Sequence, residues 1–305
     1  MCNVPVTIGL CVKNCVDTIR KTLNCIIGQN YPHELIEVIV VDDQSSDDTI
    51  PLIIKTLSNS SINFKVLSTD GKGLGFARQL VVKNASGKYI LWVDGDMILP
   101  SNYIMQQVKF MERNPEVGKA RAKWGFLNED SLPAKLESFR VLTHLSGNKS
   151  RLLVGIGGSI CRTCALKEIG GFDEKIRGAG EDIDLSVRLA ISWKNAVSDA
   201  VFYHRFRKTW KSLWQQYFWY GYGIHYVNAK HKGIIKSWKY LPIVSFFSGL
   251  KNSLLAIKLT KQKIAILLPF QYTFKYSAWL TGYIRSHFDQ YGHIKADPSI
   301  SMVIV

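Results

Sequence analysis

The chain has 305 residues, with 39 Lys and Arg against 24 Asp and Glu, a formal charge of +15. Hydrophobic residues make up 47% while Gly and Cys number only 23 and 6, which excludes global disorder, a collagen-like repeat and a disulfide scaffold. The charge is uneven: residues 201–305 carry 15 Lys and Arg, 2 acids and 23 of the aromatic residues, whereas the first 200 residues hold 24 bases and 22 acids.

Strand-like sequence begins at Val4 with no basic segment before it, so no signal peptide is expected. Cys2, Cys11, Cys15, Cys25, Cys161 and Cys164 are then expected as reduced thiols. Cys161-Arg-Thr-Cys164 has the spacing of half a zinc site, but no second such pair exists, so buried or idle thiols are expected.

Residues 5–12 read as a buried strand, and Ile19, Leu23, Ile26 and Ile27 give helical spacing over 16–29. Tyr31-Pro32 stops that helix. Residues 36–41 form a β-branched run suited to a strand buried on both faces. Ser46 or Asp47 can cap a helix running to about Leu57. A third strand is predicted at 62–68, a loop at Gly71–Gly75, a helix to about Asn84 and a fourth strand at 88–93. This alternation predicts an α/β fold, a mostly parallel sheet with helices on both faces.

Ligands of open α/β sheets bind beyond the carboxyl ends of the strands. Two of those ends carry acids: Asp42-Asp43 and Asp94-Gly95-Asp96. Asp94 and Asp96 are hard oxygen donors suited to Mg²⁺ or Mn²⁺ shared with phosphates, and the bland alternative is an Asp-Gly turn. Asp43 can accept hydrogen bonds from a base or ribose, while Asp47 and Asp48 suit a helix N-terminus. Gly71, Gly73 and Gly75 lack the dinucleotide fingerprint. Arg78 either faces a diphosphate or is an ordinary surface arginine.

Together PVTIGLCVKN (5–14), YPHELIEVIVVDDQSSDDT (31–49), GFAR (75–78), ASGKYILWVDGDMIL (85–99), GGSICRTCALKEIGGFDE (157–174) and GAGEDIDLSVRL (178–189) resemble a family 2 glycosyltransferase of GT-A, Rossmann-like fold. The likeness covers about residues 4–225. It implies inverting transfer of a sugar from a UDP- or GDP-linked donor, with Mn²⁺ or Mg²⁺ as cofactor. By position, Asp42, Asp43, Arg78, Asp94 and Glu181 would bind the nucleotide sugar. Asp94 and Asp96 would form the DxD element, with Asp96 the more direct metal ligand. Asp182 would be the catalytic base, and His204 would reach the metal or diphosphate. The bland alternative for His204 is a strand-end histidine packed by Phe202 and Phe206. Glu181 is expected to raise the pKa of Asp182 by repulsion, and Asp184 to pair with Arg188 along a helix. Gly178 and Gly180 suggest a loop that orders over the donor.

Two departures stand out. The Gln-x-x-Arg-Trp motif of processive members is replaced by Trp214-Gln-Gln-Tyr-Phe-Trp-Tyr, which argues against a synthase that also translocates its product. Cys11-Val12-Lys13-Asn14 replaces the usual proline of the first strand's motif, so donor preference is not readable there.

The division expected is a catalytic domain over 1–225 and a basic, aromatic helical region over 226–305. Residues 241–257 and 264–284 are the longest apolar stretches, interrupted by Lys251, Pro269, Gln271 and Lys275. Polar stripes (Ser245, Ser248 and Asn252; Gln271 and Lys275) favour an interfacial or re-entrant hairpin over two spans. A soluble helical subdomain is the bland reading. The expected enzyme is a metal-dependent glycosyltransferase on the cytoplasmic side of the cell membrane, acting on a lipid-linked or glycan acceptor. The alternatives are a polyprenyl-phosphate sugar synthase and, outside that class, a basic nucleic-acid-binding or catalytically inactive binding protein. No nucleic-acid-binding motif is found, so no nucleic-acid partner is expected.

Overall fold

The structure, a computed structural model, describes residues 4–145, 155–176 and 178–291. Cys2 and residues 292–305 lie outside the described residues. The chain divides into two compact units. The first takes in 4–125, 155–176 and 181–204, and the second 126–145, 178–180 and 205–291.

The first unit opens as the sequence predicts: β1 (Val6–Val12), α1 (Val16–Ile27), β2 (Ile36–Asp42), α2 (Thr49–Ser58), β3 (Asn63–Ser68), α3 (Leu74–Asn84) and β4 (Tyr89–Asp94). β2 is apolar from Val38 to Val41 because both faces are covered there: Ile36, Val38, Ile39, Val40 and Val41 are all buried. Asp47 accepts from the Thr49 amide at 3.1 Å and the Val16 amide at 3.3 Å, which ties the start of α2 to that of α1.

β5 (Met97–Ile98), α4 (Tyr103–Arg113), β6 (Val117–Trp124), β7 (Ser159–Arg162), α6 (Thr163–Glu168), α7 (Glu181–Leu189) and β8 (Lys194–His204) complete this unit, and α5 (Leu132–Leu145) belongs to the second. The sheet has eight strands in the order β3-β2-β1-β4-β7-β6-β8-β5. β3, β2, β1 and β4 are parallel, in a register that ends Val12 beside Asp42 and Cys11 beside Asp94. β7 is antiparallel to β4 and β6, and β5 is antiparallel to β8. Of the Cys-x-x-Cys pair, Cys161 is buried on β7 with its thiol pushed up to about 12 by burial, while Cys164 is exposed.

The second unit contains α5, α8 (Trp210–Lys230), α9 (Pro242–Thr260) and α10 (Leu268–Phe288). α8 and α10 cross closely at glycines. A Cβ on Gly221 would stand 1.8 Å from the Trp279 carbonyl oxygen, and one on Gly282 would stand 1.9 Å from that of Phe218. The segment carrying Gly178 and Gly180 packs on α8, where a Cβ on Gly223 would meet the Ala179 carbonyl oxygen at 1.8 Å.

The polar residues of the apolar stretches mostly turn inward, because each finds a partner there. Ser245 bonds the Pro242 carbonyl at 2.7 Å, Asn252 bonds the Tyr272 hydroxyl at 2.8 Å and Gln271 bonds the Pro133 carbonyl at 3.0 Å. Lys275 is fully buried and donates to Glu137 of α5 at 2.7 Å. Arg140 also bonds Glu137, at 2.8 Å, and so does the Tyr217 hydroxyl, at 3.2 Å. One carboxylate thus joins α5, α8 and α10. Burial alone would raise the Glu137 carboxyl, but the charges of Arg140 and Lys275 hold it down at about 2. Among the described residues no helix is long and apolar enough to cross a membrane.

Candidate active site

The parallel half of the sheet places its acids at one edge. Asp43 follows β2, and its backbone amide bonds the Val12 carbonyl at 3.0 Å. Its carboxylate accepts from the Thr69 hydroxyl, from the Gly73 amide at 3.0 Å and from Lys13 Nζ at 3.2 Å. Burial would raise this carboxyl, but those hydrogen bonds outweigh it and hold it below its ordinary value. Gly73 opens α3 with φ 92°, a backbone that favours glycine and that turns its amide to the acid. Asp42 instead closes a turn: both its carboxylate oxygens accept from the Ser45 amide, at 3.1 and 3.2 Å.

Arg78, on α3, is no surface arginine, since only 6% of it is exposed. Its guanidinium bonds Glu181 Oε1 and lies 3.5 Å from Asp94 Oδ1, with the Trp92 and Phe172 rings each 6.0 Å away. Glu181 begins α7 and is buried. Burial raises its carboxyl to about 7, with Asp182 adding repulsion and Arg78 opposing. The repulsion expected between these adjacent acids thus appears on Glu181. Among the described residues its second oxygen has no hydrogen-bond partner.

Asp182 is half-buried, and one of its oxygens accepts from the Ile183 amide at 2.9 Å. It lies close enough for its charge to act on Arg78, Asp94 and Glu181. Asp184 holds Arg188 through two bonds, at 2.9 and 2.7 Å, the predicted pairing along the helix.

Asp94 ends β4, and burial raises its carboxyl, with Asp96 and Asp182 adding and Arg78 opposing. Gly157 leaves room for it: a Cβ there would stand 2.2 Å from Asp94 Oδ2. Asp96 Oδ1 lies 3.0 Å from His204 Nε2. The cause is local, because β5 pairs Met97 with His204 at the end of β8. The His204 ring stacks on Trp124, centroids 6.0 Å apart and 12° between planes.

The sequence reading therefore meets its residues in two groups. Arg78, Asp94, Glu181 and Asp182 form a charge network, and Asp96 stands with His204. Among the described residues, no three His, Cys, Asp or Glu side chains converge as a metal site. The chemistry of the donors nevertheless fits a hard divalent cation: Asp96 and His204 offer oxygen and imidazole nitrogen together. Asp94, expected beside them, leans on Arg78. Sequence reasoning missed Lys13, Thr69 and Trp124. Thr69 carried a signal, since it directly follows β3 at the edge that already bears Asp43.

Known proteins resemble the chain in sequence and in fold. The model of Glycosyl transferase family 2 matches residues 7–152, and that of Glycosyl transferase family group 2 matches 89–286. A poly-beta-1,6-N-acetyl-D-glucosamine synthase of Staphylococcus epidermidis is 26% identical over 185 residues, 58% of this chain and 42% of that protein. The Escherichia coli UDP-Glc:alpha-D-GlcNAc-diphosphoundecaprenol beta-1,3-glucosyltransferase WfaP is 36% identical over 107 residues, 35% of this chain and 41% of that protein. The chain thus spans about two fifths of these curated relatives. Among solved structures, the mannosyltransferase PcManGT of Pyrobaculum calidifontis, in complex with GDP-Man and Mn²⁺, aligns with TM-score 0.67 and 17% identity, over 94% of this chain and 88% of that one. TarS 1-349 of S. aureus, in complex with UDP, aligns with TM-score 0.55 and 18% identity, over 94% and 92%. At such identities the structural likeness concerns the fold, which is of the GT-A type.

Proposed function

The chain belongs to glycosyl transferase family 2, and from that premise we propose that it moves a sugar, with inversion, from a UDP- or GDP-linked donor to a lipid-linked or glycan acceptor. The proposed place is the cytoplasmic face of the cell membrane. Support for the donor comes from the GDP-Man and UDP held by the structural neighbours. Support for a lipid-linked acceptor comes from the diphosphoundecaprenol in the name of one relative. The observation that carries the reading is the gathering of Arg78, Asp94, Glu181 and Asp182 at the strand ends, with Asp96 beside His204.

In this reading Asp43, kept ionised by Lys13 and Thr69, accepts hydrogen bonds from the nucleoside. Asp96 and His204 would hold the divalent cation, with Asp94 as a further carboxylate of the site. When bound, that ion supplies Lewis-acid neutralisation of the charge gathering on the departing diphosphate. Asp182 takes the proton from the attacking acceptor hydroxyl on the opposite face of the sugar, so direct displacement inverts the anomeric carbon without a protein nucleophile. Arg78 fixes Glu181 and Asp94 in place through its planar fork.

Transfer of labelled sugar to membrane lipid extract, from UDP- and GDP-linked donors in turn, tests this function. One donor class should label a lipid or glycan product, and Asp182→Asn should abolish it. Equal labelling by the Asp182→Asn variant would overturn the assignment of the base.

A further inference from the structure

α9 is built inside out. Its inward residues are small, Ser245, Gly249, Ser253 and Ala256, and a Cβ on Gly249 would stand 2.6 Å from Pro269 Cα of α10. Its large apolar residues face outward: Ile243 is 76% exposed, Phe247 66%, Leu250 43% and Leu254 69%. Their spacing of four, three and four residues lays them along one stripe of the helix. Phe270, 64% exposed with its ring 5.9 Å from that of Phe246 on α9, adds to this apolar surface. A helix facing water places such residues the other way round, and a continuous apolar patch of this kind marks a contact surface.

The charge around the stripe indicates what covers it. Lys251, Lys258, Lys261 and Lys263 are exposed beside it, and no Asp or Glu occurs anywhere from residue 200 to 288. A second copy of the chain would bring like charges face to face, at a cost. An anionic lipid surface complements both features, with acyl chains for the stripe and headgroups for the lysines. With no described helix able to cross the membrane, we infer that α9 lies in the plane of an anionic bilayer with Phe247 and Leu254 immersed, holding the protein on one leaflet. This deepens the proposed function at the side of its lipid-linked acceptor and rests on that reading only there.

Flotation of the full chain with phosphatidylcholine vesicles, with and without phosphatidylglycerol, tests the inference. The protein should float with the anionic vesicles and dissociate in high salt. The double variant Phe247→Ser with Leu254→Ser should lose about tenfold or more in vesicle affinity. Lys258→Glu with Lys261→Glu, which leaves the stripe intact, should remove the preference for phosphatidylglycerol. Both variants should keep the nucleotide binding of the unaltered protein, so a misfolded variant is recognised and a failure of the enzymatic reading is seen separately. Unchanged flotation of either double variant would overturn the inference. So would an absence of vesicle binding, with light scattering showing a dimer that the serine variant dissolves or the stripe lying under another segment of chain.

Discussion

Asp96 and His204 meet because a two-residue strand, Met97–Ile98, pairs with the end of an eleven-residue one. Replacing Asp96 by Ala should therefore abolish metal-dependent nucleotide binding and leave the thermal midpoint nearly unchanged, since the carboxylate sits at a strand end rather than in the core. In the proposed mechanism Asp182 takes the proton, and its carboxylate accepts a local bond from the Ile183 amide. Asp182→Asn should lower kcat by roughly 10²–10⁴-fold without weakening nucleotide affinity, a split that steady-state kinetics and calorimetry read together. Arg78 is different, because it is buried between two acids. Arg78→Lys keeps the charge but loses the fork, so one charge-assisted hydrogen bond goes unmade. That should cost about 1.5–3 kcal/mol of stability in a urea titration and lower kcat/KM as Asp94 and Glu181 lose their common anchor. At this scale Asp43, Asp94 and Asp96 drew attention in the sequence because they lie at strand ends, and Asp182 only through the family resemblance. The burial of Arg78 was not, because nothing in GFARQ announces that Glu181, 103 positions away, is its partner.

Elements were legible where a local period carried them. β2 and β4 read correctly because central parallel strands, buried on both faces, are nearly unbroken apolar runs, and α1 because its apolar residues recur at helical spacing. β5 escaped because two residues carry no period. The polar stripes of α9 and α10 were visible, but mostly face inward, since their partners, Pro133 and Glu137 among them, lie on segments far away in sequence: Lys275 and Glu137 are separated by 138 positions. Glu137 makes a measurable demand on the second unit. Its folded carboxyl, at about 2, lies below its ordinary value of 4.5. The stability it contributes is therefore fully present above pH 4.5 and is lost as pH falls towards 2. Glu137→Gln should destabilise the protein by about 3 kcal/mol at neutral pH, and the gap from the unaltered protein should close on acidification, as read by denaturant unfolding at each pH. Gly282→Val should force α8 and α10 apart against the Phe218 carbonyl and cost about 1–3 kcal/mol or more.

At the scale of the whole molecule, the α/β class and the family were readable from several ordered motifs together. The second unit was less so, because it is assembled from separate segments, 126–145, 178–180 and 205–291, and sequence alone does not reveal which distant pieces share a core. Binding of donor nucleotide should stabilise the folded chain as a whole, by about 2.7 kcal/mol at a hundredfold excess over Kd, as a rise in Tm. The measurement that bears most directly on the assigned chemistry is calorimetric titration of the protein with UDP and GDP, with and without Mn²⁺. One of the two nucleotides should bind with Mn²⁺ present, lose most of its affinity without it, and fail to bind Asp96→Ala. Binding of neither nucleotide under any metal condition, or equal binding by Asp96→Ala, would contradict a metal-dependent sugar transfer centred on Asp96 and His204.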